Sequence, residues 1–356
     1  LEPVIKIASM GRGRPETPPT DLAAYSQFVF SLAQHLKGRV RAYAIENEID
    51  KPRLDLWTAE VYGPLRAAAY AAIKAADPDA QVLDSGMTME AYLYAQANER
   101  YQAGKTPEAL AMLHRFETYM RRKEHDLPDT EQKLIQWLSS PHAQRSLGLV
   151  QELYTHPATY NAVQLHYLQD AWELTPEFIG WVQTWLAATG ALDKPLEFWE
   201  IGFGWEGEEA DVAFTEEGHA QGVVKCLVIT LGEDASRVIY EPYWEDAAAD
   251  PRKFGRGLVT PDGPRLASIA YQTMANQLSG YQEAESLDLG NGTWAYRFTL
   301  PRGDVYVIWS AVTQTISLPI AAQSVTITDL TGQTTIGGPH ALPVGVSPIF
   351  VQGKLP

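Results

Sequence analysis

The sequence has little cysteine and no long apolar run. The single cysteine, Cys226, excludes intrachain disulfides, and it lies in an apolar stretch that is typical of a buried helix. No apolar segment reaches the roughly 18 residues that a membrane-spanning helix needs, and the start shows no signal-peptide pattern. These absences predict a soluble chain and leave both secretion and a cytoplasmic location open.

Positive charge is also scarce. The chain has 28 Lys and Arg residues against 44 Asp and Glu residues, which gives a net charge of −16. Such a surface repels nucleic acids and anionic membranes, so neither is expected as a partner. The chain is instead rich in aromatic residues, with 10 Trp and 17 Tyr. Rings with an apolar face and a polar edge suit sugars as well as cores, so the composition favours a neutral, sugar-like ligand.

Strand-like and helix-like segments alternate from the first residues to about residue 280, which is typical of βα units around a parallel sheet. The predicted strands cover 3–9, 41–46, 80–86, 160–167, 195–205 and 236–244. The predicted helices cover 20–38, 57–76, 175–190, the segment around Cys226, and 264–278, the first with Asp21 or Thr20 as its cap and Gly38 as its end.

Two further regions interrupt or follow this alternation. Residues 89–155 are mostly helical in pattern and predict an insertion, for which a lid, a subsite wall and an oligomer contact all stay open. From about residue 282 the apolar residues recur with a period of two, and Gly, Pro and Asn bound the short segments. The sequence therefore predicts a barrel domain (1–281) and a small antiparallel β-sandwich (282–356).

Polar residues stand where several predicted strands end. In a (β/α)₈ barrel the active site lies at the carboxyl ends of the strands, so these residues are candidates for chemistry. The segment 11–16, GRGRPE, is not the glycine-rich phosphate loop that a doubly wound sheet would carry, which favours the barrel. The strand-end residues are Glu46, Asn47 and Glu48, then His166 and Tyr167, then Glu200, and finally Glu241, Tyr243 and Trp244.

Two carboxylates on two strands of one barrel suggest acid and nucleophile chemistry on a glycosidic bond, and Glu48 and Glu200 are the candidate pair. One must carry a proton while the other is ionised, which closely spaced carboxylates achieve by raising one pKa. The histidines in helical segments lack metal-binding spacing, so neither a metal nor another cofactor is expected; they are His35, His114, His125, His142 and His156.

The strand-end motifs resemble those of the retaining clan A glycoside hydrolases. AYAIENEID (42–50) is similar to their strand 4, which ends in Asn-Glu, VQLHY (163–167) to their strand 6, and PLEFWEIGFGW (195–205) to their strand 7. The tail that begins with WAYRFTLPRGDVYVIWS (294–310) and includes VTITDLTG (325–332) is similar to the C-terminal sandwich of family 39-like members. The resemblance spans nearly the whole chain, and the order of the three motifs makes it specific.

This resemblance implies roles for particular residues. Glu48 would be the acid/base, Glu200 the nucleophile, and Asn47 the ligand of the sugar 2-hydroxyl. His166 and Tyr167 would orient Glu200 and contact the sugar. Three aromatic residues complete the predicted substrate site, with Trp244 as a stacking face: Tyr243, Trp244 and Trp205.

The motif also departs from the family pattern, because Glu46 precedes Asn-Glu and Ile49 follows it, where relatives often have Trp and Pro. If residues 41–46 are strand 4 of the barrel, residues 3–9 are strand 3. Strands 1 and 2 are therefore expected in an N-terminal portion outside this sequence.

Two alternatives to a glycoside hydrolase stay open, a non-catalytic carbohydrate-binding protein and a transglycosylase. Arg12 and Arg14 are predicted to lie on a surface loop or to bind an acidic sugar. Glu206, Glu208 and Glu209 are predicted to lie on a solvated loop.

Overall fold

The structure is a computed structural model that describes residues 3–9, 17–119, 127–168, 172–203, 215–245 and 255–353. Up to about residue 280 strands and helices alternate as the sequence predicts, apart from four successive helices in the middle and three successive strands before the last helix. In chain order the elements are β1 (Val4–Ile7), α1 (Leu22–Leu36), β2 (Ala42–Ile45), α2 (Ala59–Ala76), β3 (Gln81–Leu83), α3 (Met89–Gln102), α4 (Thr106–Tyr119), α5 (Glu131–Leu138), α6 (Pro141–Thr155), β4 (Val163–Tyr167), α7 (Thr175–Ala188), β5 (Leu196–Ile201), α8 (Glu216–Gly232), β6 (Ala235–Tyr240), β7 (Val259–Thr260), β8 (Gly263–Pro264) and α9 (Leu266–Leu278).

The first strands form a parallel sheet. β1 pairs with β2 so that Val4 lies opposite Ala42, and β2 pairs with β3 so that Ala42 lies opposite Gln81. A parallel bridge between Leu83 and Ala162 leads on towards β4, and β5 lies beside β4. All four residues of β2 are buried, as expected for a strand covered on both faces. Because parallel strands end at one edge of a sheet, the residues that follow them are brought together there.

Helix α1 shows why the predicted helix boundaries are close to the observed ones. The Asp21 side chain accepts hydrogen bonds from the amides of Ala23 and Ala24, each at 3.0 Å, and so caps the free N–H groups of the first turn. The helix ends before Gly38, whose φ of +73° lies in the left-handed region that glycine tolerates best. Asp21 is therefore confirmed as the cap.

The insertion predicted at 89–155 contains α3, α4, α5 and α6, with 120–126 outside the described residues. Helix α6 begins at Pro141, and the Ser140 hydroxyl accepts a hydrogen bond from the Ala143 amide at 3.2 Å. It packs against α2 and α3. The insertion therefore lies against α2 through its helix α6, and one of its side chains, Arg145, reaches the loop after β2.

The C-terminal part consists of two antiparallel sheets. Their strands are β9 (Glu283–Ser286), β10 (Thr293–Thr299), β11 (Val305–Ser310), β12 (Gln314–Ile316), β13 (Val325–Thr328), β14 (Thr334–Gly337), β15 (Leu342–Val344) and β16 (Ile349–Gly353). One sheet has the order β14-β13-β16-β11-β10-β9, and the other pairs β12 with β15. Ile308 and Val351 of the first sheet share a buried core with Ile316 and Leu342 of the second. The predicted small antiparallel sandwich is thus confirmed.

The described chain divides into two compact units. The first comprises Leu1–Thr118, His125–Tyr167 and Gly180–Glu200, and the second comprises Tyr119–Glu124, Leu168–Ile179 and Ile201–Pro356. The predicted boundary near residue 282 stays a prediction. Within the described residues, no helix combines the length and the apolar character that crossing a membrane requires.

Candidate active site

The loop after β2 carries the first candidate carboxylate on an unusual backbone. Glu46 and Glu48 both have positive φ, 69° and 46°, in a region that costs a non-glycine residue about 1 kcal/mol or more. Hydrogen bonds hold this conformation: the Glu48 amide donates to the Ser85 carbonyl at 3.0 Å, and the Lys51 amide donates to the Glu48 carbonyl at 3.1 Å. The chain thus turns tightly at the edge of the sheet, where the side chain of Glu48 meets residues from other strands.

His166, near the end of β4, joins the two candidate glutamates. Its Nδ1 lies 3.2 Å from Glu48 Oε1 and 3.5 Å from Glu200 Oε2. Its Nε2 lies 2.6 Å from the side-chain amide nitrogen of Gln164. Gly86 makes this position possible, because a Cβ there would lie 2.3 Å from His166 Nε2. Glu48, His166 and Glu200 therefore converge, as the order of motifs predicts.

Lys6 was missed by the sequence interpretation. It lies in β1, and its Nζ donates to Asn47 Oδ1 at 2.6 Å and forms an ion pair with Glu200 Oε1. The sequence does contain a signal, since a lysine in the otherwise apolar strand VIKI is unusual, but the partner residues are far away in the chain. Lys6 ties the nucleophile candidate to the residue predicted to bind the sugar 2-hydroxyl.

Lys51 is a second cation that the sequence did not single out. Its Nζ forms an ion pair with Glu48 Oε2, while His166 Nδ1 faces Oε1, so both carboxylate oxygens have partners. Burial raises the pKa of Glu48, but the hydrogen bond and charge of His166, together with the Lys51 ammonium, outweigh it and lower the pKa to about 2. In this arrangement Glu48 is ionised.

The neighbouring carboxylates in the same motif point elsewhere. Glu46 is fully buried and accepts hydrogen bonds from the Ser9 amide at 2.8 Å and the Ser9 hydroxyl at 2.7 Å. Asp50 is buried too and accepts from the Thr88 amide at 3.0 Å and from its hydroxyl. Burial raises the pKa of both carboxyl groups, that of Glu46 to about 7. Glu46 and Asp50 therefore support the loop.

Arg145 of α6 fixes the following part of this loop. Its guanidinium donates to five main-chain carbonyls at 2.7 to 3.2 Å, namely those of Ile49, Asp50, Lys51, Leu54 and Trp57. Nη2 also lies 3.2 Å from His142 Nδ1. The segment that carries Lys51 is therefore held by the helical insertion.

The remaining predicted residues lie in different surroundings. Tyr167 has no exposed surface in this structure. Its predicted contacts with Glu200 and with a sugar stay predictions. Tyr243 and Trp244 belong to the second compact unit, where their side chains are 66% and 54% exposed and thus available to a ligand. Outside the described residues lie the predicted substrate-binding residue Trp205, the loop residues Arg12 and Arg14, and the acidic loop residues Glu206, Glu208 and Glu209.

Glu48, His166 and Glu200 also bring three possible metal ligands within 4.8 Å of one another. Carboxylate and imidazole donors of this kind suit several divalent ions. However, Lys51 already contacts Glu48 and Lys6 already contacts Glu200, so a metal ion would have to displace two ammonium groups. We therefore assign no metal to this cluster.

Comparison with known proteins identifies the fold of the chain. No protein-family model and no curated protein matches the chain. Solved structures do match. A family 39 glycoside hydrolase from Bacteroides cellulosilyticus has a TM-score of 0.62 at 14% identity, over 96% of this chain and 64% of that one. The chain thus spans less than two thirds of that protein.

Two other solved structures have a similar fold. A glucosidase from Croceicoccus marinus has a TM-score of 0.60 at 13% identity, covering 99% of this chain and 78% of that one. A family 30 endoxylanase from Clostridium papyrosolvens has a TM-score of 0.54 at 13% identity, covering 95% and 73%. The chain therefore has the fold of the clan A glycoside hydrolases, a (β/α)₈ barrel with a C-terminal β-sandwich. The resemblance predicted from the strand-end motifs is confirmed for the fold.

Proposed function

We propose that the protein is a retaining glycoside hydrolase in which Glu48 is the acid/base and Glu200 the nucleophile. The observation that carries this proposal is the approach of both carboxylates to one nitrogen, His166 Nδ1, at 3.2 and 3.5 Å. The ligand atoms of these three residues all lie within 4.8 Å of one another. Retaining enzymes space their carboxyl groups about 5 to 5.5 Å apart and inverting enzymes about 6.5 to 9.5 Å. The close spacing therefore supports retention.

In the first step, an oxygen of Glu200 forms a bond to the anomeric carbon while the bond to the leaving oxygen breaks, and protonated Glu48 gives that oxygen its proton. In the second step, Glu48 takes a proton from water, whose oxygen bonds to the anomeric carbon as the bond to Glu200 breaks. Asn47, held by Lys6, would bind the sugar 2-hydroxyl, where a hydrogen bond that strengthens in the transition state contributes most.

The proposed substrate is an oligo- or polysaccharide. The glucosidase and endoxylanase named among the similar structures support a glycosidic bond as the target. Tyr243 and Trp244 would offer aromatic faces to a sugar, since both are largely exposed. The net charge of −16 favours an uncharged sugar over an anionic one.

The test is a screen of 4-nitrophenyl glycosides, followed by the variants Glu48→Ala and Glu200→Ala on the glycosides that are hydrolysed. Glu200→Ala should abolish turnover. Glu48→Ala should lower kcat/KM by about 10²- to 10⁴-fold on substrates with poor leaving groups. Glu46→Gln is the matched control in the same motif, because Glu46 binds Ser9, and it should keep most of the activity.

Rescue of the variants with azide and the stereochemistry of hydrolysis show which glutamate is the acid/base and which is the nucleophile. With azide, Glu48→Ala should form a glycosyl azide of the substrate's anomeric configuration, and Glu200→Ala one of the opposite configuration. Proton NMR of the first hydrolysis product should show retained configuration. Inverted product, or full activity in Glu200→Ala, would refute the proposal. Sugar binding without turnover would identify the non-catalytic alternative, and transfer to an added sugar acceptor would identify the transglycosylase.

A further inference from the structure

Glu48 faces a conflict between its proposed role and its contacts. An acid must hold a proton when the leaving group departs, yet the Lys51 ammonium contacts Oε2 and His166 Nδ1 lies 3.2 Å from Oε1. The side chain of Glu48 is 7% exposed, so solvent screens these contacts little. Something must release one oxygen before Glu48 can act as an acid.

Lys51 is the partner that can leave. Its side chain is 40% exposed, whereas that of His166 is 2% exposed. Its backbone is fixed, because its amide donates to the Glu48 carbonyl at 3.1 Å and its carbonyl accepts from Arg145 at 2.8 Å. The ammonium is therefore delivered to Glu48 from an anchored turn, on a side chain long enough to swing into solvent.

The other charged groups around Glu48 have partners of their own. Glu200 is paired with Lys6, and Asp50 is held by both donors of Thr88. His166 lies between Glu48 and Glu200, with Gln164 on its other nitrogen. Each of these contacts is independent of Lys51, so removing the Lys51 ammonium changes one contact of Glu48 and leaves the rest of the cluster in place.

We propose that Lys51 is a positioning residue that determines when Glu48 acts as an acid and when it acts as a base, an inference that rests on the function proposed above. With the site empty, the ammonium holds Oε2 and Glu48 is a carboxylate. When the leaving-group sugar occupies this side of Glu48, it displaces the ammonium, and Glu48 takes a proton from solvent and then donates it. After deglycosylation Glu48 carries the proton removed from water, and the returning ammonium favours its release to solvent.

The first test needs no substrate. Protein labelled with ¹³C at the glutamate carboxyl carbon is titrated by NMR from about pH 3 to about pH 9, and Glu48→Gln identifies the Glu48 resonance. In the wild type this resonance should stay at the ionised position across most of the range. In Lys51→Met its midpoint should rise by about one pH unit or more, because an opposite charge in contact lowers a carboxyl pKa by about 1 to 3 units.

Two controls separate charge from structure. Lys51→Arg keeps a cation at the same place and should stay near the wild-type midpoint. Lys105→Met removes an exposed lysine that pairs with Glu108 at the same three-residue spacing, and it should leave the Glu48 resonance unchanged. Circular dichroism confirms that the variants are folded.

The second test is the pH profile of kcat/KM on an aryl glycoside found in the screen. In Lys51→Met the alkaline limb should move to higher pH by the same amount as the NMR midpoint, and more clearly with poor leaving groups than with 4-nitrophenol. Hydrolysis with an unmoved midpoint overturns this inference and leaves the function standing. A moved midpoint in a protein that hydrolyses no glycoside overturns the function, and the role of Lys51 with it.

Discussion

Lys6 connects two residues that the proposed mechanism uses separately. Its ammonium contacts both Asn47 and Glu200, so it fixes the amide relative to the carboxylate. Lys6→Met should lower kcat/KM by about 10- to 100-fold, since hydrogen bonds to charged groups are worth about 1.5 to 3 kcal/mol. Steady-state kinetics on the glycoside from the screen measures this, with Lys133→Met at an exposed ion pair as control. Equal activity of the two variants would contradict the role of Lys6.

Glu46 gives the protein a pH-dependent stability. Burial raises its pKa to about 7, although the hydroxyl and amide of Ser9 both lower it. A raised folded-state pKa means that the protonated group contributes stability, which is complete below the ordinary glutamate pKa and is lost as the pH rises through about 7. The wild type should therefore be less stable at pH 8 than at pH 5 by an amount that Glu46 controls.

Glu46→Gln removes this dependence. The amide can accept from the Ser9 N–H and donate to the Ser9 hydroxyl, so packing is preserved. Between about pH 4.5 and about pH 8, the wild type should lose on the order of 2 kcal/mol of unfolding free energy relative to the variant. Urea unfolding at several pH values measures the difference. Parallel curves for wild type and variant would contradict it, and the exposed Glu108→Gln is the control.

At the scale of elements, α6 and the loop after β2 act together. Arg145→Met removes the donors to five carbonyls of that loop while keeping the length of the side chain. It should destabilise the protein by about 2 kcal/mol or more, since buried acceptors lose their partners. Hydrogen exchange at the amides of 51, 54 and 57 should accelerate, because their turns lose this support. Gln151→Met, at an exposed position of α6, is the control and should leave exchange unchanged.

The elements themselves could be predicted because their signals are local. A helix cap such as Asp21, a left-handed glycine such as Gly38 and the period of two after residue 282 each act within a few neighbouring residues. The three motifs predicted the convergence of Glu48 and Glu200, because parallel strands end at one edge.

Contacts between distant residues could not be predicted in this way. The sequence does not show that Lys6 faces Glu200, since these residues meet only when β1 and β5 are in place. The Arg145 contacts depend equally on the packing of α6, so local patterns left several roles open for the insertion and did not indicate that it supports the loop. Lys51 is close to Glu48 in sequence, but its contact depends on the left-handed φ of Glu48.

At the scale of the whole molecule, the second compact unit joins barrel elements to the sandwich. The ring of Trp172, which follows β4, lies 5.6 Å from that of Trp294 and 6.1 Å from that of Trp309. Lys225 of α8 lies over the Trp172 ring at 5.3 Å. The sandwich strand β10 and helix α8 should therefore unfold as one unit.

A substitution at Gly232, the last residue of α8, tests whether α8 and β10 unfold together. A Cβ there would lie 2.1 Å from Cδ1 of Tyr296 in β10, so Gly232→Ala should destabilise the unit by about 1 to 3 kcal/mol. Hydrogen exchange should accelerate in α8 and β10 together. Gly180→Ala is the matched control, because Gly180 is also helical and its Cβ would meet nothing within 4 Å. Faster exchange in α8 alone would show that the sandwich folds independently.

The contacts of Arg145 have a consequence for changing the protein by design. Its guanidinium binds main-chain oxygens, which every amino acid supplies, so these contacts with the loop after β2 do not require particular side chains at the five positions. Side chains such as Leu56, which is 53% exposed, can then be exchanged while the backbone around Glu48 is kept. A library of loop variants that retains Arg145 would therefore test whether this loop determines the substrate of the proposed glycoside hydrolase, while Glu48 is left unchanged.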